Sequence, residues 1–343
     1  MAVFNESSIP DLVAGTLKHL GRMKFQQIAQ SLIRYEVFTK WFKKDRVIVT
    51  GGLGIQRNLM VKHQSSARHV GWNEQDRSVV PDLIKQMFVG WRYMTDSWAM
   101  DYREILIQSG PTVVLDIIKP RRASCMLSIA EELERKAWSC PAKANEVDPY
   151  GIPYWLVKNA TAGFYGGLPS DHDRIGGLTL EQAPKFKNYT GSYAAVTKAD
   201  LIKKWRKMHR QTNFVSPVTI DDYRGEMGRT YRHYVNEDTI SDIEDVGESQ
   251  NENLGRDLGK MDGQMTFKSN PIVHVPLLDE DSQNPVYSID HSTWYPIVLK
   301  GLNLVEGETQ KVPGQHFKYY IPVDLGYNYI CIDRRLNGVL HKA

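Results

Sequence analysis

From Phe317 to Cys331 every odd-numbered residue is apolar: Phe317, Tyr319, Ile321, Val323, Leu325, Tyr327, Tyr329 and Cys331. Lys318, Asp324 and Asn328 stand among the positions between them. Successive side chains of an extended chain point to opposite faces, so strict period two marks a strand with one buried face and one wet face. At about 3.3 Å per residue this run would reach roughly 50 Å, whereas ordinary strands have about 5–6 residues. Pro322 cannot donate to a ladder, which predicts a place at or beside a sheet edge. The other reading is two ordinary strands turning near Gly326, although the alternation keeps its phase through that glycine. A strand this long is unusual in a soluble enzyme.

The rest of the chain supplies other elongated parts. Residues 8–44 read as an amphipathic helical arm, with Leu12, Leu17, Leu20, Phe25, Ile28, Leu32 and Ile33 at roughly helical spacing and the cluster TKWFKK at its end. The arm is too small for a core of its own and must lie on something else. Residues 46–100 hold strand-like pieces around a glycine-rich tip, with Val47, Val49, Leu59 and Val61 alternating as in an exposed two-stranded ribbon. Such a ribbon needs a partner surface to be stable. Residues 111–138 form the clearest helix. Val114, Ile117, Ile118, Met126, Ile129, Ala130, Leu133 and Ala137 make one stripe, and Arg121, Arg122, Glu131, Glu132, Glu134, Arg135 and Lys136 the opposite face. Pro120 should kink this helix or divide it. Gly and aromatic residues crowd 148–177 with little periodicity. Thr197 then caps a basic helix over 198–210, an acidic helix runs from about Thr239 to Asn253, and short strands are expected near 230–235, 265–278, 286–290 and 297–299.

At 343 residues the chain can bury a full core, as two domains or as one with long appendages. The net charge of +3 gives no global field that would point to nucleic acid, so any such case must rest on local charge. Cys125, Cys140 and Cys331 are an odd set without metal-ligand spacing and read as free thiols of a reducing compartment. The N-terminal residues lack the basic start and apolar core of a signal peptide, and no stretch approaches the ~18 apolar residues of a membrane span. The sequons at Asn159 and Asn188 are therefore read as coincidental.

Few motifs ask for chemistry. Gly51-Gly52-Leu53-Gly54 lacks the Lys-Ser/Thr of a phosphate loop and reads as a turn needing positive φ. Asp171-His172-Asp173 could donate metal ligands, yet near-adjacent residues seldom converge on one ion. Asp279-Glu280-Asp281 with Asn284 lacks the glycine and glutamate of a calcium loop and reads as a solvated loop. No residue is assigned a catalytic, cofactor-binding or metal-binding role. Lys203, Lys204, Arg206, Lys207 and Arg210 on the basic helix, and Arg334 and Arg335 after the long strand, are either a solvated face or contacts to phosphates or an acidic partner. Eight Trp and seventeen Tyr offer anchors; Trp41, Phe42, Trp91, Trp98, Tyr154, Trp155 and Trp294 are the candidates for core or interface positions.

Several stretches taken in order resemble one family. They are RYEVFTKWFKKDRVIVTGGLGIQ (34–56), KPRRASCMLSIAEELERKAW (119–138), GIPYWLVKNATAGFYGG (151–167), KFKNYTGSYAAVTKADLIKKWRKMHRQTNFVSP (185–217), ESQNENLG (248–255), PVYSIDHSTWYPIVLKG (285–301), and the terminal strand with DRR (333–335). Their order and content resemble the major capsid protein of tailed double-stranded DNA bacteriophages, whose shell fold is shared with encapsulins. The ordered set, not any single motif, carries the resemblance, which runs from about residue 8 to the C-terminus.

The resemblance implies an α+β phage major capsid fold. An N-terminal arm (1–44) precedes an extended β-hairpin E-loop (45–100) that reaches over a neighbour. A peripheral domain (101–139 and 302–343) holds the spine helix and the long strand, and an axial α/β domain (140–301) carries the Gly/aromatic-rich insertion. It further implies a non-enzymatic protein that self-assembles into hexamers and pentamers of an icosahedral head. That head encloses double-stranded DNA through non-specific contact, alongside scaffolding, portal and decoration proteins. Assembly would occur in the bacterial host cytoplasm, with no membrane. The alternative is an encapsulin-like compartment. Only about forty residues precede the hairpin, so the scaffold is expected to be a separate chain, or none, with no cleavage of this one. Crosslinking through Lys62 or Lys85 is not expected.

Overall fold

The computed structural model describes residues 35–64, 67–72, 81–107, 111–143, 147–214, 230–248 and 265–343. The described part of the arm ends in α1 (Val37–Asp45), a π-type helix that stops at the extended Arg46. There follow β1 (Val47–Val49), β2 (Gly54–Met60), β3 (Ile84–Gly90), β4 (Arg92–Asp101), α2 (Tyr102–Ile107) and the long α3 (Pro111–Ala137). Next come α4 (Ile152–Trp155), β5 (Gly163–Gly166), β6 (Asn188–Tyr193) and, after a π-type turn at Lys198–Ile202, α5 (Lys203–Thr212). The order continues with β7 (Tyr231–Val235), α6 (Glu237–Glu248), β8 (Thr266–Phe267), β9 (Asn270–His274) and β10 (Val286–Asp290). It ends with β11 (Trp294–Glu306), β12 (Gln310–Lys311), β13 (Lys318–Cys331) and β14 (Gly338–Lys342). The fold class is α+β, with 27% helix and 36% strand.

The alternating segment is one unbroken strand of 14 residues, β13, and no turn forms at Gly326. Its expected edge position is wrong. β13 is an interior strand, paired with β11 from Trp294↔Cys331 to Glu306↔Val323 and with β4 from Lys318↔Asp101 to Tyr327↔Arg92. Pro322 is tolerated because its ring lies against Gly307, where a Cβ would stand 2.8 Å from it. Its carbonyl accepts the Gly307 N–H at 2.8 Å, and the N and O of a strand residue point to the same side. On that side β11 has already ended at Glu306, so only one ladder bond is forgone.

The short strand expected near 297–299 is part of the 13-residue β11. Two irregularities hide it from a periodicity reading. The register jumps from Val298↔Tyr327 to Asn303↔Leu325, with Gly301 at φ +91°, and slips again at Leu304, φ +52°. The expected ribbon is also redrawn. Val47 and Val49 lie on β1, which pairs in parallel with β11, while β2 pairs with β3 from Gly54↔Gly90 to Met60↔Ile84.

α3 runs through Pro120 without dividing. Ile118, Ile129, Leu133 and Ala137 are buried along it, but Glu134, expected on the charged face, is buried as well. It lies four residues from both Ala130 and Trp138, which places it on the apolar stripe. Around α3 gathers the larger core, filled by α1, β3, β11 and β13. A second sheet has the order β5-β6-β14-β10-β7-β9-β8. α5 and α6 cover it over a smaller core of Tyr189, Leu201, Trp205, Met208, Ile243 and Leu340. The acidic helix begins at Glu237, and positions 249–253 of its expected span lie outside the described residues. So do residues 1–34 of the expected arm.

Candidate assembly surfaces

The arm enters the body through a buried joint. Val37 donates its N–H to Glu134 Oε2 at 2.9 Å, and Trp138 Nε1 donates to Glu134 Oε1 at 3.2 Å. Tyr35 donates its hydroxyl to Glu131 at 2.9 Å. Burial pushes the Glu134 carboxyl up to about 7, against the hydrogen bonds it accepts, with the Glu36 charge adding repulsion. One turn on, Trp41 lies 4.7 Å from the Trp294 ring and 5.5 Å from Trp138, centroid to centroid. Its Nε1 donates to Tyr234 Oη at 2.8 Å, and that oxygen lies 2.8 Å from His291 Nε2. Phe42 sits 5.5 Å from the Tyr327 ring. The end of the arm therefore lies in this chain's own core, not on a foreign surface.

The other aromatic candidates are buried by the same chain. Trp91 Nε1 donates to Gly52 O at 2.9 Å and so fixes the glycine turn before β2, where Gly51 and Gly52 have positive φ as the turn reading required. Trp98 is buried on β4. Tyr154 accepts the Gly176 N–H at 3.1 Å, stacks on Tyr150 at 4.2 Å, and precedes Trp155, which donates to Tyr150 O at 3.1 Å. Of the two positions expected for these residues, core or interface, burial within one chain fits the core: Trp41, Phe42, Trp91, Trp98, Tyr154, Trp155 and Trp294 are each under 9% exposed. Size and apolarity made them anchors, and the chain's own elements surround them.

The apolar side chains left open are elsewhere. On the β2–β3 hairpin Met60, Ile84 and Phe88 are about half exposed, and Leu53 at its base is 95% exposed. Met87 and Val89 on the opposite face are fully buried, and Phe88 N–H donates to Gly176 O at 3.0 Å. The hairpin root is thus bound to the body while one flank offers apolar surface to water, an arrangement that favours covering by another surface. Lys62 is exposed, and Lys85 is paired with Asp82.

The two basic groups behave differently. Thr197 Oγ1 accepts the Asp200 N–H at 3.2 Å, the expected cap, and α5 then exposes Lys203, Arg206, Lys207 and Arg210 while Lys204 pairs with Asp200. Arg334 corrects its reading: it is fully buried and cannot meet phosphate or an acidic partner. Its guanidinium donates to Trp155 O at 2.6 Å, Phe186 O at 2.7 Å, Gly167 O at 2.9 Å and Asn188 Oδ1 at 2.9 Å. Burial lowers its pKa to about 10, which leaves it charged at neutral pH. Arg335 is held by Asp333 at 2.7 Å and lies over the Phe214 ring.

The metal candidates do not converge. His172 Nε2 lies 2.8 Å from Pro141 O, and Asp173 pairs with Lys143. Among the described residues the one trio within ligand reach is Glu237, His274 and Asp279. It is a surface knot: Asp279 accepts the Glu237 N–H at 2.8 Å and lies 3.2 Å from His274 Nε2.

No protein-family model matches the chain, and no curated protein sequence does. Its structure does match solved ones. The "Cyanophage A-1(L) capsid asymmetric unit" aligns at TM-score 0.62 and 13% identity, over 92% of this chain and 95% of that one. "The capsid of Myoviridae Phage XM1" aligns at TM-score 0.55 and 9% identity, over 95% and 98%. The "capsid of native GTA particle" aligns at TM-score 0.55 and 10% identity, over 94% and 96%. The chain has the fold of phage capsid proteins over nearly its whole length.

Proposed function

We propose that this chain is the major structural subunit of an icosahedral phage head and does its work by self-association. The observation that carries the reading is the whole-chain match to capsid subunits, over nine-tenths or more of both partners in each comparison. The hairpin supports it: a two-stranded ribbon with one apolar flank in water gains from a neighbour's surface. In this reading residues 1–44 are the arm, 45–100 the E-loop, 101–139 with 302–343 the peripheral domain and 140–301 the axial domain. Six-fold and five-fold rings would close the shell. The enclosed cargo is double-stranded DNA, held by weak, unspecific contact, because a net charge of +3 cannot neutralise a packed genome. Portal, scaffolding and decoration proteins would be the other partners, with assembly in the host cytoplasm and residence in the virion. The role is mechanical, not catalytic. A compartment around protein cargo, the encapsulin-like alternative, has no observation in its favour that the head reading lacks.

Size-exclusion chromatography with multi-angle light scattering tests this. The purified chain should elute as rings or particles many times the 39.3 kDa of one subunit. A species that stays at the mass of one subunit at high concentration contradicts the proposal.

A further inference from the structure

Two helices over the second sheet expose stripes of opposite charge. On α5, Lys203, Arg206, Lys207 and Arg210 are exposed while Trp205 and Met208 are buried. Lys203 and Arg206, like Lys207 and Arg210, are three residues apart, and Lys203 and Lys207 are four apart, which places all four cations on one face along about 10 Å of helix. On α6, Asp238, Asp242 and Asp245 are exposed while Ile243 is buried. Their spacing of four and three residues makes a stripe of the same length, flanked by Glu237 and Glu244.

Among the described residues neither stripe is neutralised. Among the described residues, no ion pair involves Lys203, Arg206, Lys207, Arg210, Asp238, Asp242, Glu244 or Asp245. Other charges of the molecule find partners at home, as Lys136 does with Asp148 at 2.8 Å and Arg232 with Asp45 at 2.8 Å. Like charges three and four positions apart on one helix face repel, so each stripe carries a small penalty that an opposite stripe would relieve. The two stripes are different surfaces of one chain. Contacts between different surfaces of identical copies run head to tail, and they close into rings where the rotation from copy to copy closes.

We infer that the basic stripe of α5 seats on the acidic stripe of α6 in a neighbouring copy and sets the direction in which subunits follow one another around a ring. This inference rests on the shell reading above. Packaged duplex would account for the cations, but it leaves the acidic stripe on the same domain unexplained and would be repelled by it.

Charge reversal with rescue tests it in the full chain. One variant carries Lys203→Glu, Arg206→Glu and Lys207→Glu. A second carries Asp242→Lys and Asp245→Lys, sparing Asp238 in the first turn, where a carboxylate also favours the helix dipole. A third combines all five. Circular dichroism of the unassembled subunits checks that each variant folds. Particle yield at about 0.15 M salt, where exposed charges still interact within a Debye length, should fall at least tenfold in the first two. In the third it should return to within a few-fold of the unaltered chain. The inference is overturned if either single reversal assembles normally, if folded combined subunits fail to recover, or if only the basic reversal matters and its effect is on bound DNA. An unaltered chain that forms no particles sinks the shell reading and takes this inference with it. Particles indifferent to the reversals sink the inference alone.

Discussion

Glu134 of the long helix accepts the backbone N–H of Val37 at 2.9 Å, across 97 positions of sequence. A buried carboxylate is thus the clasp between the end of the arm and the helix at the centre of the larger core. Because the clasp is ionisable, the hold on the arm depends on pH.

Burial raises Glu134 from 4.5 to about 7. A raised folded-state value means the proton binds the folded chain more tightly than the unfolded one. The stabilisation is then fully present below about pH 4.5 and is lost as pH rises through about 7. At roughly 1.4 kcal/mol per pKa unit the swing is about 3 kcal/mol. Denaturant unfolding of the subunit between pH 4.5 and 8, beside Glu134→Gln, should show the wild-type advantage shrinking by about that much. A constant difference between the two proteins across this range contradicts the assignment.

Arg334 joins four backbone or side-chain acceptors from residues 155, 167, 186 and 188, and among the described residues it forms no ion pair. Arg334→Met strands those acceptors in the interior and should lower stability by about 3–5 kcal/mol. Arg334→Lys keeps the charge but loses the fork and should lose more than half as much. An Arg334→Lys subunit within about 1 kcal/mol of wild type by denaturant unfolding would show that geometry is not what Arg334 supplies.

Gly151 and Gly301 separate crowding from backbone strain. A Cβ at Gly151 would stand 2.3 Å from Ser139 O and 2.6 Å from Ala137 O, main-chain atoms at the end of α3. Gly151→Ala should therefore destabilise by about 3 kcal/mol or more. Gly301 has φ +91° and open space around it, so Gly301→Ala should cost only about 1 kcal/mol. Thermal unfolding of the two variants checks the order, and the reverse order contradicts the packing described at α3.

The strand β13 was legible because strict alternation over 15 positions has no competing periodicity. Its interior place was not, because partner choice depends on β4 and β11, more than two hundred and about thirty residues away. β11 itself was masked by Gly301 and Leu304, whose left-handed backbone breaks the period. For the aromatic residues, burial could be foreseen but not who buries them, since a neighbour and the chain's own core demand the same side chains. Glu134 was within reach, because its spacing from Ala130 and Trp138 places it on the apolar stripe. Arg334 was not: four acceptors converge on it from separate loops, and no local pattern announces that. Chain-wide likeness to capsid subunits was legible from the order of several segments, and the structural matches bear out the fold.

Electron microscopy of the purified full-length protein is the most direct test of the shell reading. Closed particles tens of nanometres across, built from rings of this one chain, are the predicted result. A monodisperse monomer that forms no ring or shell at any concentration or salt contradicts it.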